Sequence, residues 1–538
     1  ALPIFSDELG ISPARVEQRL NRYLQKPRSQ REPEPLHDYI RYEDWRQYGW
    51  ADYVNQVVGV GRSLDAGARF GTYHRTWASP GNNDVLRHGY PPDLFENLDV
   101  ISHVHYADNS TCWVSIPLLA RALRTGTDKT LYINHPIVHE RRTKFDGQYQ
   151  RQMAFALLAQ GANGISQWGM QHSFEDGPNP HTAKGYETTM RLNREILQPF
   201  GEIVDRTQDG YGRIGIVSTM NQHTLSAFKN IPTANQTEGV WIACWRLGYP
   251  AVFLREEHFA AGVNDFDVLF VPGVRFDHEL DEAVLRGLRE AIADGVKVVV
   301  EADSILPELL SGVTHLKDWP LNSYFIGKYF ATWMDDELNK VYQKSQPIVD
   351  YLGPKLKEWG VEPAATGPFK VGPGWRDGGE IDYLVMANFD DPDYGHTVKQ
   401  QMARPVVMPL KVPGRRGQVE YDLLAQQRLP LQEAADGMVG FELDMRRIQG
   451  GLVAFTPEPV EALHVRHAVS RDPGRLRVTA ELIGESGEKI AGVFPARITL
   501  DDGRESRRFH RVLGGDVEAT LDLPQGRKAR EYAVSIRE

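Results

Sequence analysis

The chain has 538 residues, 41% of them apolar and 25% charged, with a formal net charge of -11. That length allows three to five domains at roughly 100 to 200 residues each, and the balance of residue types excludes a disordered or fibrous class. No apolar run approaches the ~20 residues of a membrane span, and acidic charge spread along the chain without a basic face argues against nucleic acid as the main partner.

Cys112 and Cys244 lie far apart and form no CxxC or Cys/His ligand spacing, so neither structural zinc nor any other cofactor is expected. The opening residues ALPIFSDELG lack an initiator Met and the charged-then-apolar pattern of a signal peptide. The expectation is a segment upstream, either removed or encoded as a separate chain. Asn109-Ser110-Thr111 and Asn235-Gln236-Thr237 match the glycosylation sequon; the compartment stays open, with a secreted or periplasmic one favoured.

From residue 1 to about 205, short apolar strands alternate with longer amphipathic stretches, the pattern of a parallel α/β unit. Strands are predicted at residues 2–6, 68–73, 98–104, 130–134 and 164–168, and helices at 36–64, 116–123 and 148–160, the last stopped by Gly161. The charged, proline-bearing segment 26–35 reads as an exposed loop. Five strands fall three short of a barrel of eight.

Residues 211–340 restart the alternation as a doubly wound α/β domain. Its strands are expected at 213–218, 251–254, 268–271 and 296–301, with helices at 239–247 and 281–294. Residues 345–455 lose helical periodicity and read as a β-rich domain, with strands such as 383–388 and 451–455. From 460 to 538 the alternation is strand-like, with turn residues every ten or so positions, which suggests a small β-sandwich. No internal repeat or low-complexity tract is found.

In parallel α/β barrels reactive groups sit at the C-terminal ends of the strands, where the loops converge on one mouth. Those ends read Ser6-Asp7-Glu8, Tyr73-His74-Arg75, His103-Val104-His105-Tyr106, Asn134-His135 and Gln167-Trp168. Donors, acceptors and aromatic rings together suit a sugar, whose hydroxyls need hydrogen bonds while its ring face stacks on indole or phenol. The plainer reading is that strands end at the surface and their ends are polar for that reason.

The stretch GQYQRQMAFALLAQGANGISQWGM (147–170) resembles the helix and last barrel strand of clan A glycoside hydrolases, especially the family 42 β-galactosidases. AQGAN (159–163) and SQW (166–168) fit the turn and the Trp-bearing strand of that group, and LHDYIRYEDW (36–45) is similar to the helix after its fourth strand. The domain order agrees over about residues 1–455. The resemblance implies that residues 2–6 are barrel strand four and that Glu8 stands at the position of the general acid/base. Asp7 occupies a place where the family has Asn; a neighbouring acid raises the pKa of Glu8 by like-charge repulsion.

The resemblance also implies a Glu at the end of strand seven, where this chain has Asn134 and His135; Glu140 is the nearest carboxylate, with Asp108 and Glu175 as substitutes. Glu140 followed by Arg141 and Arg142 also fits a surface ion pair. His74, His103, Tyr106, Trp113 and Trp168 would line the sugar site, with Trp77 on the same side. The domain at 211–340 resembles a class I amidotransferase fold but has Glu301-Ala302-Asp303 where a nucleophilic Cys is needed, which implies a structural or subunit-contact role and a homo-oligomer.

The expected activity is hydrolysis of a β-linked oligosaccharide or polysaccharide. Two other readings stay open: a carbohydrate-binding pseudoenzyme, and a polysaccharide lyase using His103, His135 or Tyr106 as base. A preceding polypeptide is expected to supply barrel strands one to three, since a bare parallel edge at Leu2 invites pairing with another chain.

Overall fold

The computed structural model describes residues 12–26, 34–75, 97–104, 112–125, 129–134, 147–166, 190–210, 212–219, 221–222, 233–275, 279–301, 304–317, 337–369, 371–388, 406–414, 419–433, 437–446, 450–469, 475–501, 506–515, 517–522 and 533–537. The chain divides into two compact units, one of residues 1–134, 213–244 and 251–361, the other of residues 135–212, 245–250 and 362–538.

The described part of the first unit opens with helix α1 (Pro13–Gln25), which the sequence reading leaves unassigned. Proline at its first turn sacrifices no helical hydrogen bond, and Val16, Leu20 and Tyr23 form its buried stripe. It packs on α2 (Glu34–Leu64), tied by the Arg19–Asp38 ion pair. Leu36, Tyr39, Ala51 and Val58 are buried along α2, whereas Trp50, Tyr53, Val57, Val60 and Leu64, three and four residues apart, are exposed.

Strands β1 (Gly71–Arg75), β2 (Val100–Val104) and β3 (Thr130–Asn134) then pair in parallel. Ile101 and Leu131 are fully buried on one level, while Tyr132, one residue on, is 38% exposed, the alternation a pleated strand imposes. Helix α3 (Cys112–Thr125) packs against β3.

Helix α4 (Gly147–Ala159) opens the described part of the second unit. Residues 152–160 are buried without a break, as expected of a helix apolar all round. It ends where the sequence places its terminator: Gly161 adopts φ 87°, and Ala162 N–H and Gly161 N–H return to the carbonyls of Leu157 and Leu158, the pattern of a glycine-closed helix end. Strand β4 (Gly164–Ser166) follows. After a π-helical turn, α5 (Gln198–Arg206) leads into the short strand β5 (Gln208–Asp209).

Returning to the first unit, β6 (Ile214–Val217), α6 (Thr233–Arg246), β7 (Ala251–Leu254), α7 (Glu256–Ala261), β8 (Val268–Phe270), α8 (Glu282–Ala293), β9 (Lys297–Glu301), α9 (Leu306–Leu309) and β10 (Thr314–Leu316) build a five-stranded sheet in the order β10-β9-β8-β6-β7. Every pairing in it is parallel, so the sheet is doubly wound about β6 and β8. Helix α3 rests on β7, and Arg121 donates from Nε to the Ala251 carbonyl over 3.0 Å in a buried hydrogen bond. Helix α10 (Glu337–Glu358) corrects the expectation that helical periodicity is lost from residue 345. Ile348, Leu352 and Leu356 recur every four residues and are fully buried, and that stripe outweighs Pro347 and Pro354.

The rest of the described second unit is mostly β-structure. Strands β11 (Gly374–Asp377), β12 (Asp382–Ala387), β13 (Val407–Pro413), β14 (Val419–Asp422), β15 (Gln427–Arg428), β16 (Gln432–Glu433), β17 (Met438–Asp444) and β18 (Gly450–Thr456) form two antiparallel sheets, β15-β14-β18-β12-β11-β5 and β13-β17-β16. They enclose a core that includes Trp375, Leu384, Leu410, Phe441 and Phe455. Strands β19 (Val460–Val469), β20 (Arg475–Gly484), β21 (Lys489–Ile490), β22 (Phe494–Asp501), β23 (Ser506–Leu513), β24 (Ala519–Asp522) and β25 (Ala533–Arg537) form two more, β19-β20-β21 with β24 on β20, and β23-β22-β25.

Helix α4 lies against β11, β12 and β18 at places where a side chain would not fit. A Cβ on Gly374 would stand 2.0 Å from the Ala159 carbonyl oxygen, and one on Gly450 would stand 2.2 Å from the Phe155 ring. Gln152 Nε2 donates to the Asn388 carbonyl at 2.8 Å. Arg376, buried on β11, donates to the carbonyls of Val204 (2.9 Å) and Thr207 and to Thr207 Oγ1 (3.1 Å), and pairs with Asp209, so it closes the C-terminus of α5. Because backbone cannot yield as a side-chain tip does, Gly374→Ala is expected to lower stability by on the order of 3 kcal/mol, measured by denaturant unfolding; an unchanged midpoint would contradict the close approach.

Glu420 on β14 is fully buried, with neither carboxyl oxygen hydrogen-bonded. Burial pushes its pKa from 4.5 to about 7. The unfolded chain therefore gives up this proton first as pH rises, and stability falls between about pH 4.5 and 7 by up to about 3 kcal/mol. Glu420→Gln is expected to remove that loss, making the variant more stable than wild type at pH 8 and nearly equal to it at pH 4; equal stability at both pH values would refute the assignment.

Candidate functional site

The parallel register pairs two of the predicted site residues and places a third one rung on. His74 on β1 lies opposite His103 on β2, which lies opposite Ile133; the next rung holds Arg75, Val104 and Asn134. The two histidines thus occupy one level and Asn134 the next, at the C-terminal ends where parallel sheets present their chemistry. Trp113 is the second residue of α3. Asp7, Glu8, Tyr106, His135, Glu140 and Trp168 lie outside the described residues, as do Trp77, Asp108 and Glu175.

The opposite end of these strands is built for stability. Asp99, just before β2, accepts the Phe70 N–H at 2.7 Å and the Arg62 guanidinium at 2.9 Å. The backbone hydrogen bond first, and Arg62 with it, hold its carboxyl below the ordinary range against the desolvation that opposes them. One carboxylate therefore joins the end of α2, the entry to β1 and the entry to β2.

In the five-stranded sheet the crevice between β6 and β8 is the place where a doubly wound fold binds ligands. Here it is spanned by the protein itself. Gln222 accepts the Thr219 N–H through Oε1 at 3.1 Å and donates through Nε2 to the Pro272 carbonyl at 3.0 Å. Glu301, at the C-terminal end of β9, accepts the Gly273 N–H at 2.5 Å and pairs with Arg275 at 3.1 Å. Cys244 is a free, buried thiol whose pKa burial drives upward, the reverse of an activated nucleophile. Among the described residues no group of His, Cys, Asp and Glu side chains has the arrangement of a metal site.

Two buried acids escape a reading from sequence. Glu420 is one; the other is Glu238 in α6, 2% exposed, with both carboxyl oxygens lacking a hydrogen-bond partner and its pKa raised well above the ordinary range by burial. Each follows a β-branched or polar neighbour in an unremarkable stretch, and only the surrounding packing isolates them.

No protein-family model matches the chain, and no curated protein matches it in sequence. Solved structures do match. The β-galactosidase from Bacillus circulans sp. alkalophilus aligns with a TM-score of 0.52 and 11% identity over 78% of this chain and 68% of its own. Gan42B, a GH42 β-galactosidase, aligns with the same TM-score, identity and coverage. The GH42 exo-carrageenase from Bacteroides ovatus aligns with a TM-score of 0.47 and 13% identity, and this chain spans 56% of its length. The protein is a mixed α/β chain that shares the fold of GH42 β-galactosidases, and the solved structures it resembles are glycoside hydrolases.

Proposed function

We propose that the chain acts as a glycoside hydrolase on a β-linked glycan, with Glu8 as general acid/base and Glu140 as the second carboxylate. The observation that carries this reading is the placement of His74, His103 and Asn134 on the last two rungs of a parallel sheet, in a chain with the GH42 β-galactosidase fold. Fold alone does not assign chemistry; the polar strand ends add the donors and acceptors that sugar hydroxyls require.

In this reading Glu8 protonates the departing glycosidic oxygen and, where a glycosyl-enzyme intermediate forms, then takes a proton from the water that hydrolyses it. Asp7 beside it disfavours its charged form and keeps the proton available. Glu140 attacks the anomeric carbon if the two carboxyl groups stand about 5 to 5.5 Å apart, or activates water if they stand about 6.5 to 9.5 Å apart. The five-stranded sheet is read as an amidotransferase-like module without catalytic function, because its crevice is occupied by Gln222 and its strand-end acid Glu301 is consumed by Gly273 and Arg275. The expected self-association is supported by the exposed apolar stripe of α2.

Asn134 on the last rung of β3, where the expected nucleophile would stand, favours a second reading, a carbohydrate-binding protein without turnover. Steady-state kinetics of the full chain on aryl and unactivated β-galactosides separates the two. Glu8→Gln is expected to lower kcat by about 10² to 10⁴-fold on the unactivated substrate and much less on a dinitrophenyl glycoside, whose leaving group needs no acid. Glu140→Gln is expected to abolish both. Binding without turnover by the wild type, or wild-type rates in both variants, would sink the hydrolase assignment.

A further inference from the structure

The second unit holds a cavity of about 520 Å³ that the hydrolase reading does not use, bordered by α5 and its preceding turn, by β14 and β15, and by β22 and β23. Phe200, Leu482 and Phe494 give it apolar walls, and Arg428 and Arg497 give it cationic ones, with the His510 ring beside them. We infer that this cavity binds the charged unit of an acidic glycan, a sugar bearing a carboxylate or a sulfate.

The strand register sets up the charge. Arg497 on β22 lies directly opposite His510 on β23, and Thr499, two residues on, lies opposite Arg508. Directly paired residues and their second neighbours share one face of a sheet, so Arg497, His510 and Arg508 line up side by side. Like charges gathered on one face of a sheet, here Arg497 and Arg508, destabilise it. Among the described residues the Arg497 guanidinium and the His510 ring have no hydrogen-bonding partner to offset that cost. Burial first, and then the cations Arg497, Arg508 and Arg511, hold the His510 pKa below its ordinary value.

Among the described residues, none of the acids around the cavity forms an ion pair with Arg428 or Arg497. Asp422 is engaged by the N–H groups of Leu424 (2.9 Å) and Ala425 (3.0 Å). Glu420, the acid in electrostatic reach of Arg428, keeps its proton to about pH 7. Glu195 is exposed at the rim. What remains is a small-molecule-sized space with a planar arginine fork suited to a carboxylate or sulfate and aromatic surface suited to a sugar ring. The inference does not rest on the hydrolase reading, because none of these residues belongs to the strand ends that carry it.

Titration calorimetry of the full chain at low and high salt tests it, with digalacturonate, galactose 6-sulfate and neutral galactobiose as probes. One or both acidic probes should bind at least 10-fold more tightly than the neutral one, and more weakly at high salt; whichever binds tighter identifies carboxylate or sulfate as the recognised group. Arg497→Gln should weaken that binding at least 10-fold without lowering Tm, since it relieves repulsion, whereas Arg466→Gln, on the exposed strand β19, should leave binding unchanged. Glu8→Gln should also leave it unchanged, which separates this site from the catalytic one. Equal affinity for acidic and neutral probes, or undiminished binding by Arg497→Gln, would overturn the proposal.

Discussion

Much of the second unit depends on how closely helix α4 can approach the sheet formed by β11, β12 and β18. Residues 152–160 offer apolar surface on every side of the helix, so the helix is stable only where it is covered completely. The cover is possible because Gly374 and Gly450 have no side chains: the Ala159 carbonyl and the Phe155 ring occupy the space that a Cβ would take. The Gln152 to Asn388 hydrogen bond then fixes the helix along the sheet without leaving that carbonyl buried and unpaired.

From that contact the neighbouring elements inherit their positions. Gly161 turns the chain out of α4, and Asn163 immediately beyond it bonds Asp205 of α5. Arg376, on the strand that α4 packs against, gathers the last carbonyls of α5 and the Asp209 carboxylate. A buried guanidinium is tolerable only when its donors are spent in this way. The helix end, the short strand β5 and the strand β11 are therefore held by one side chain.

The two parallel sheets of the first unit use their C-terminal ends differently. In the five-stranded sheet the polar groups at the switch point bond one another, as Gln222 does with Thr219 and Pro272 and Glu301 does with Gly273 and Arg275. Groups committed to each other stabilise a fold and leave little capacity for a ligand. The β1-β2-β3 sheet places His74 and His103 on one rung near its C-terminal end and Asn134 on the next, while its opposite end carries the Asp99 clamp.

What the amino-acid order determined by itself were features decided within a few residues. Thr130–Asn134 and Ala251–Leu254 are strands over the predicted spans, and Gly161 ends its helix as read, because apolar periodicity and glycine's access to positive φ are local properties. His103 and Asn134 were legible for the same reason, near the ends of recognisable strands, whereas His74, expected just past a strand at 68–73, lies within β1. Features that join distant segments were decided only by tertiary structure. The stripe of Ile348, Leu352 and Leu356 prevailed over two prolines because its burial comes from packing. The isolation of Glu238 and Glu420 and the row of Arg497, Arg508 and His510 exist only once separate strands and helices are brought together. Burial and cross-strand register are relations between residues far apart in the chain, and no window along a sequence contains them.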